Sequence, residues 1–427
     1  MSRSASFPMG RKSRYASSAL AVAVFLGSIA GSTARENARA TNPVEDLQQR
    51  IDAGTVQLRY DPNGNGYLRS VLEAFQIPDD SQVLVYSASS MQFDKIQQRT
   101  PRAIYHQDDV SVGFVQDGRH IEIIASDRDR GVAFYTLGTE QVENPRFVRR
   151  TGECLSCHSS ASRWAPGMIV ATFDTGPKGQ MLFVDPTHLF TQTDQRTPFD
   201  ARYGGWYVTG TTGDMRHRGN VTFEIPFQVP AGGLNVTSLS EWIDTTRYLQ
   251  PGSDVVSLLT LEHQSGFVNL ITAINAQSKN LGGEVSRGVR VTQKDLDTSI
   301  EDLVAYMTFA TEVPLPSPAQ GTSSFQETFS GIGARDPEGR SLREFDLQTR
   351  VFRYPLSYMV YSQAFDQLDP QARERVLQRL YAVLRGDVTD GPYAVLPGRG
   401  GAAAINILIA TKPGLPDYWQ PVPESGG

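Results

Sequence analysis

The chain has 427 residues, 39% of them hydrophobic and 20% charged, with a formal net charge of −6. That composition carries enough apolar material for a sizeable core, and without a block of five or six like charges it offers nucleic acid no electrostatic footprint. Two cysteines, Cys154 and Cys157, exclude a disulfide-framed scaffold and an all-cysteine zinc or iron–sulfur site.

Residues 1–34 read as a secretory signal peptide. Arg3, Arg11, Lys12 and Arg14 precede an apolar run over residues 19–30, and Ser32-Thr33-Ala34 offers a cleavage site, with a second option at Ala38-Arg39-Ala40. Such a run spans only about 18 Å as a helix, short of a bilayer core, and no later stretch reaches eighteen apolar residues. The mature chain is therefore expected to be periplasmic or secreted, with no membrane span. Cleavage removes four basic residues and no acidic one, which leaves a net charge of −10. A protein partner is expected to present a basic surface.

Residues 41–150 read as β-rich. Gln82 to Tyr86 has strand composition, 112–115 and 120–125 flank an Asp117-Gly118 hairpin turn, and 132–136 adds a further strand. Residues 151–250 alternate short apolar runs, at 168–173 and 181–184, with turns such as Pro177-Lys178-Gly179. From 251 to 427 the pattern turns mainly helical. Ser253 is the expected N-cap of a helix to Gln277, with Val256, Leu259, His263, Phe267, Leu270 and Ile274 on one face. Thr292-Gln293-Lys294-Asp295 forms a capping box ahead of Leu296, Ile300, Leu303 and Met307, and a third helix over 370–385 stops at Gly386. Residues 313–339 are expected to be an irregular connection, and Gly398-Arg399-Gly400-Gly401 a loop. The expected fold class is α+β, a β-rich first half joined to a helical second half through residues 151–250.

Glu153-Cys154-Leu155-Ser156-Cys157-His158 contains Cys-x-x-Cys-His, the attachment signature of c-type haem. Two thiols three positions apart can each add across one vinyl group, and the adjacent imidazole is then placed to coordinate iron. Chance alone would place this pattern in a chain of this composition with a probability on the order of 10⁻⁴. A thioredoxin-like dithiol lacks its βαβ context here, a zinc site would need further ligands, and a disulfide across so short a loop would add little stability. Cys154, Cys157 and His158 are thus the expected anchors of one covalent haem c, with His158 as proximal ligand.

The second axial ligand separates an electron carrier from an iron open to small molecules. Met168, His188, Met215, His217 and His263 are candidates, with His106 and His120 in the β-rich part. His217 ranks first because it sits in the Gly-rich stretch Gly204 to Asn220, where glycines allow close approach to a flat ligand. His263 follows, on the apolar face of the first long helix, and then Met168 and Met215.

The motif resembles that of c-type cytochromes, and this resemblance implies the cofactor. Pro101-Arg102-Ala103-Ile104-Tyr105 with Asp108-Asp109, the stretch from Gly204 to Asn220, Arg340-Ser341-Leu342-Arg343, and Phe352-Arg353-Tyr354-Pro355 with Ser357-Tyr358 are similar to a group of large, exported, single-haem bacterial proteins. Scattered over most of the mature chain, these stretches imply one integrated protein around the haem and imply no activity. That group is expected to carry methionine after the histidine of the Gly-rich loop, where this chain has Arg218. The function expected is electron transfer by a periplasmic monohaem c-type cytochrome. Because one haem needs far fewer residues, a peroxidase-like haem oxidoreductase with a small-molecule substrate pocket, or a redox or gas-sensing module, stands as the alternative.

Overall fold

The computed structural model describes residues 40–159, 161–182, 191–225, 232–285 and 288–424. The signal-peptide residues 1–34 and the candidate ligand His188 lie outside the described residues. The described chain opens with two helices, α1 (Pro43–Asp52) and α2 (Leu68–Phe75), where strand was expected. Local chemistry accounts for α1: the Asn42 side chain accepts from the Val44 and Glu45 amides, Pro43 sits in the first turn, and Glu45 and Asp46 complement the helix dipole.

Six strands follow: β1 (Val83–Val85), β2 (Arg102–Gln107), β3 (Val110–Phe114), β4 (His120–Asp127), β5 (Gly131–Gly138) and β6 (Val148–Arg150). They pair antiparallel in chain order. The expected hairpin joins β3 to β4, with Phe114 opposite Ile121 and Asp117 at φ 54° in the turn. Strand alternation sends Tyr105, Val112, Ile121, Ile123 and Tyr135 to the face that packs with α1 and α2. Ile104, Ile124, Val132 and Phe134 go to the other face, against a second core.

β6 runs directly into α3 (Gly152–His158), and the two short strands β7 (Ala171–Thr172) and β8 (Thr191–Gln192) then pair with each other. α4 (Val255–Lys279) is the long helix expected, but its N-cap is Asp254, whose carboxylate accepts from the Val256 and Ser257 amides. Ser253 is committed elsewhere, donating to the Tyr207 carbonyl at 2.6 Å and accepting from the Leu84 amide at 2.8 Å. Every residue of α4 from Val255 to Val268 is buried, so the helix is enclosed rather than striped.

Around it stand α5 (Gln293–Met307), with the expected capping box, then α6 (Phe325–Gly331), α7 (Gln363–Asp366), α8 (Pro370–Arg385) and α9 (Gly401–Thr411). α6 interrupts the connection expected to be irregular. α9 corrects the loop reading from Gly401 onward: a Cβ at Gly401 would stand 2.2 Å from the Leu384 carbonyl oxygen, so glycine is what lets α9 start against α8. The molecule is α+β, with the six-stranded sheet in the first half and mostly helices in the second. Among the described residues no helix is long and apolar enough to cross a membrane.

Candidate functional site

α3 is seven residues long and none of them is buried. Helical spacing puts positions 154, 157 and 158 on one side of it. Cys154 and Leu155 are half-buried against the core that Ile104 and Ile124 also border, while Cys157 is exposed, and neither cysteine is joined in a disulfide. Burial, with the nearby Glu122 and Glu153 carboxylates, raises the pKa of the Cys154 thiol.

The His158 ring is fixed on two sides. Its Nδ1 lies 2.8 Å from the Gly167 carbonyl oxygen. A carbonyl only accepts, so Nδ1 carries the proton and Nε2 keeps its lone pair. On the sheet side the Phe134 ring centroid is 4.6 Å away. Burial lowers the imidazole pKa against the opposing pull of the Gly167 bond.

Gly167 is itself held by α4. The Met168 amide donates to Asn269 Oδ1 at 2.7 Å, and Asn269 Nδ2 donates back to the Met168 carbonyl at 2.9 Å. A Cβ on Gly167 would fall 2.2 Å from Asn269 Oδ1, so only glycine brings the carbonyl this close to the central helix. The donor set suits a covalent haem: two thiols, and one imidazole whose second nitrogen is protonated and anchored.

The other candidates are engaged elsewhere. His217 is buried and its pKa falls to about 4 through desolvation. The Gly219 amide donates to its Nδ1 at 3.1 Å, which makes Nδ1 the acceptor and Nε2 the protonated nitrogen. Binding iron through Nε2 would need the opposite tautomer and would break that bond. Arg218 beside it pairs with Asp174 at 2.5 Å.

His263 is enclosed in the core, with Nδ1 2.6 Å from Gln195 Oε1 and Nε2 2.6 Å from Ser357 Oγ. Both nitrogens are thus occupied, and burial drives its pKa down to about 3. His106 is satisfied in the same manner by Gln264 and Ser257, both at 2.8 Å. Met168 and Met215 are buried within the helical core. His120 lies on β4 beside Arg150 and Glu153; burial and the neighbouring arginines lower its pKa.

Sequence reasoning missed Gly167, whose carbonyl anchors the His158 ring. Among the described residues no cluster of three His, Cys, Asp or Glu side chains gathers to hold a metal. Compared with known protein families, curated proteins and solved structures, the chain matches none.

Proposed function

We propose that the protein is a periplasmic monohaem c-type cytochrome in which Cys154 and Cys157 hold the haem and His158 supplies the proximal nitrogen. The observation that carries this reading is the His158 Nδ1 bond to Gly167, which leaves the lone pair on Nε2 of the histidine that directly follows the two cysteines in the chain. When bound, the haem supplies one-electron chemistry at its iron. The chain's own part is to orient and to shield. The Gly167 carbonyl fixes the imidazole tautomer, Phe134 sets the ring plane, and the exposed flank at Cys157 leaves an approach for a redox partner. The overall acidity of the mature chain favours a partner with a basic face.

A second reading, a haem oxidoreductase or gas-responsive module with an exchangeable sixth position, is favoured by the engaged ring nitrogens of His106, His217 and His263. One preparation tests both. The exported protein is boiled in detergent, run on a denaturing gel and stained for peroxidatic iron. A stained band is expected at the mature size, and a colourless band overturns both readings. Absorption spectra with and without carbon monoxide then separate them, since an inert low-spin iron belongs to the carrier and a readily liganded one to the alternative.

A further inference from the structure

Two arginines converge on the sheet face beside α3. Arg102 starts on β2, yet it crosses the side-chain-free Gly113 of β3 and places Nη1 3.0 Å from Glu122 Oε2 on β4. Arg150 starts on β6 and donates from Nε to Thr136 Oγ1 of β5 at 2.9 Å. Glu122 and Thr136 are direct cross-strand partners, so the two guanidinium groups are brought over neighbouring positions of one face. That face is the one where Phe134, paired across the strands with Arg150, meets the ring of His158.

Both cations are incompletely answered by the protein. Arg102 Nε is buried without an acceptor. Glu122 is already shared, accepting from Ser90 Oγ at 2.6 Å and Gln92 Nε2 at 3.0 Å. Arg150 forms no ion pair among the described residues, and its only side-chain bond there is to the Thr136 hydroxyl. A half-buried guanidinium without a full set of acceptors is costly unless something supplies them.

We propose that Arg102 and Arg150 receive the two propionate carboxylates of the haem. This rests on the reading above and adds the orientation of the ring, its carboxylate edge turned toward β4 and β5. A planar guanidinium matches a carboxylate with paired N–H donors, which a lysine ammonium does not. A cation at that edge also favours the reduced iron, which carries one positive charge fewer.

The test uses the exported, haem-loaded protein with Arg102→Gln, Arg150→Gln, their Lys counterparts and Arg149→Gln. Arg149 lies on β6 opposite Tyr135, on the other face, and serves as the control. At the potential where the parent is half reduced, each Gln variant is expected to show a reduced-to-oxidised ratio about three- to tenfold lower, tenfold being about 59 mV for one electron. The Lys variants are expected to recover most of that loss, and the propionate bending band in the resonance Raman spectrum is expected to shift in R102Q and R150Q alone. Potentials and bands indistinguishable from those of R149Q would overturn the proposal while leaving the covalent haem intact. A parent protein without haem would instead sink the reading beneath it. Should R102Q not fold, R150Q and R102K decide by the same two signals.

Discussion

α3 and α4 each carry a histidine among polar neighbours, and they are built in opposite ways. On α4 the His263 ring is completed from within, although Glu262 Oε1, Gln277 Oε1 and Ser278 Oγ of the same helix are buried without a partner among the described residues. His263 has a partner on each nitrogen and stacks on Tyr306 at 5.3 Å, while Glu262 beside it takes Arg202 at 2.8 Å and the Tyr203 hydroxyl at 3.0 Å. On α3 completion stops halfway. His158 has one nitrogen bonded, Cys154 is half-buried and Cys157 exposed, and Arg102 Nε behind them is buried without an acceptor. Polar groups that hold a fold together are satisfied inside it, because an unpaired buried group costs about 1–3 kcal/mol.

The largest expected effect tests the closed half of that contrast. Arg202→Met leaves Glu262 fully buried without its cation, and the protein is expected to lose about 3–5 kcal/mol in urea unfolding. A loss below about 1 kcal/mol would show that the α4 network is not what secures the core.

Next comes the acid response of the same region. His263 is depressed to about 3 in the folded protein, against a value near 6.5 when unfolded. Its stabilising contribution is complete above pH 6.5 and is lost as the pH falls toward 3, because the unfolded chain then takes up a proton that the native ring refuses. Each such histidine steepens the loss by about 1.4 kcal/mol per pH unit. His106 and His217, both at about 4, act with the same sign. Glu312, raised to about 7, and Asp109, raised to about 6, act with the opposite sign, since burial keeps them protonated in the native state. The difference between parent and His263→Gln isolates one group: the variant is expected to lose about 2–3 kcal/mol less between pH 6 and pH 4. Parallel stability curves would mean that the native His263 takes up a proton in that range.

What the sequence revealed follows the range of the forces involved. The Thr292–Asp295 capping box and the Asp117-Gly118 turn depend on residues a few positions apart, and both could be read directly. The helix at 43–52 had an equally local signal in Asn42-Pro43, which the strand-like composition downstream concealed. Ser253 failed as a cap because its hydroxyl answers Tyr207 and Leu84, partners far away in the chain. At the site, the residues proposed to attach the haem were legible as a motif. Gly167 was not, since its carbonyl is delivered by packing against Asn269. The placement of Arg102 and Arg150 on one sheet face was hidden as well, because it needs the register of five strands.

A smaller effect sharpens the contrast at the Gly-rich loop. With Nδ1 of His217 accepting from Gly219, His217→Ala is expected to leave the haem absorption spectrum unchanged and to cost about 1–2 kcal/mol of stability through the lost packing and hydrogen bond. A change in the Soret band or in carbon monoxide binding would instead return His217 to the iron.

The smallest expected effect on the fold accompanies the largest effect on the cofactor. Cys157 is exposed and Cys154 only half-buried, so replacing both by alanine in the haem-free protein removes little packing and no disulfide. The cost is expected to stay within about 1 kcal/mol, in the range of substitutions away from a core. In exported protein the same double substitution is expected to abolish the peroxidatic band entirely, while either single variant keeps one thiol and a weaker band. Had α3 been a structural element like α4, the order would reverse, and C154A/C157A would unfold the protein before any haem could be scored. A segment whose chemistry can be deleted at almost no cost to the fold is held in its conformation for what it carries.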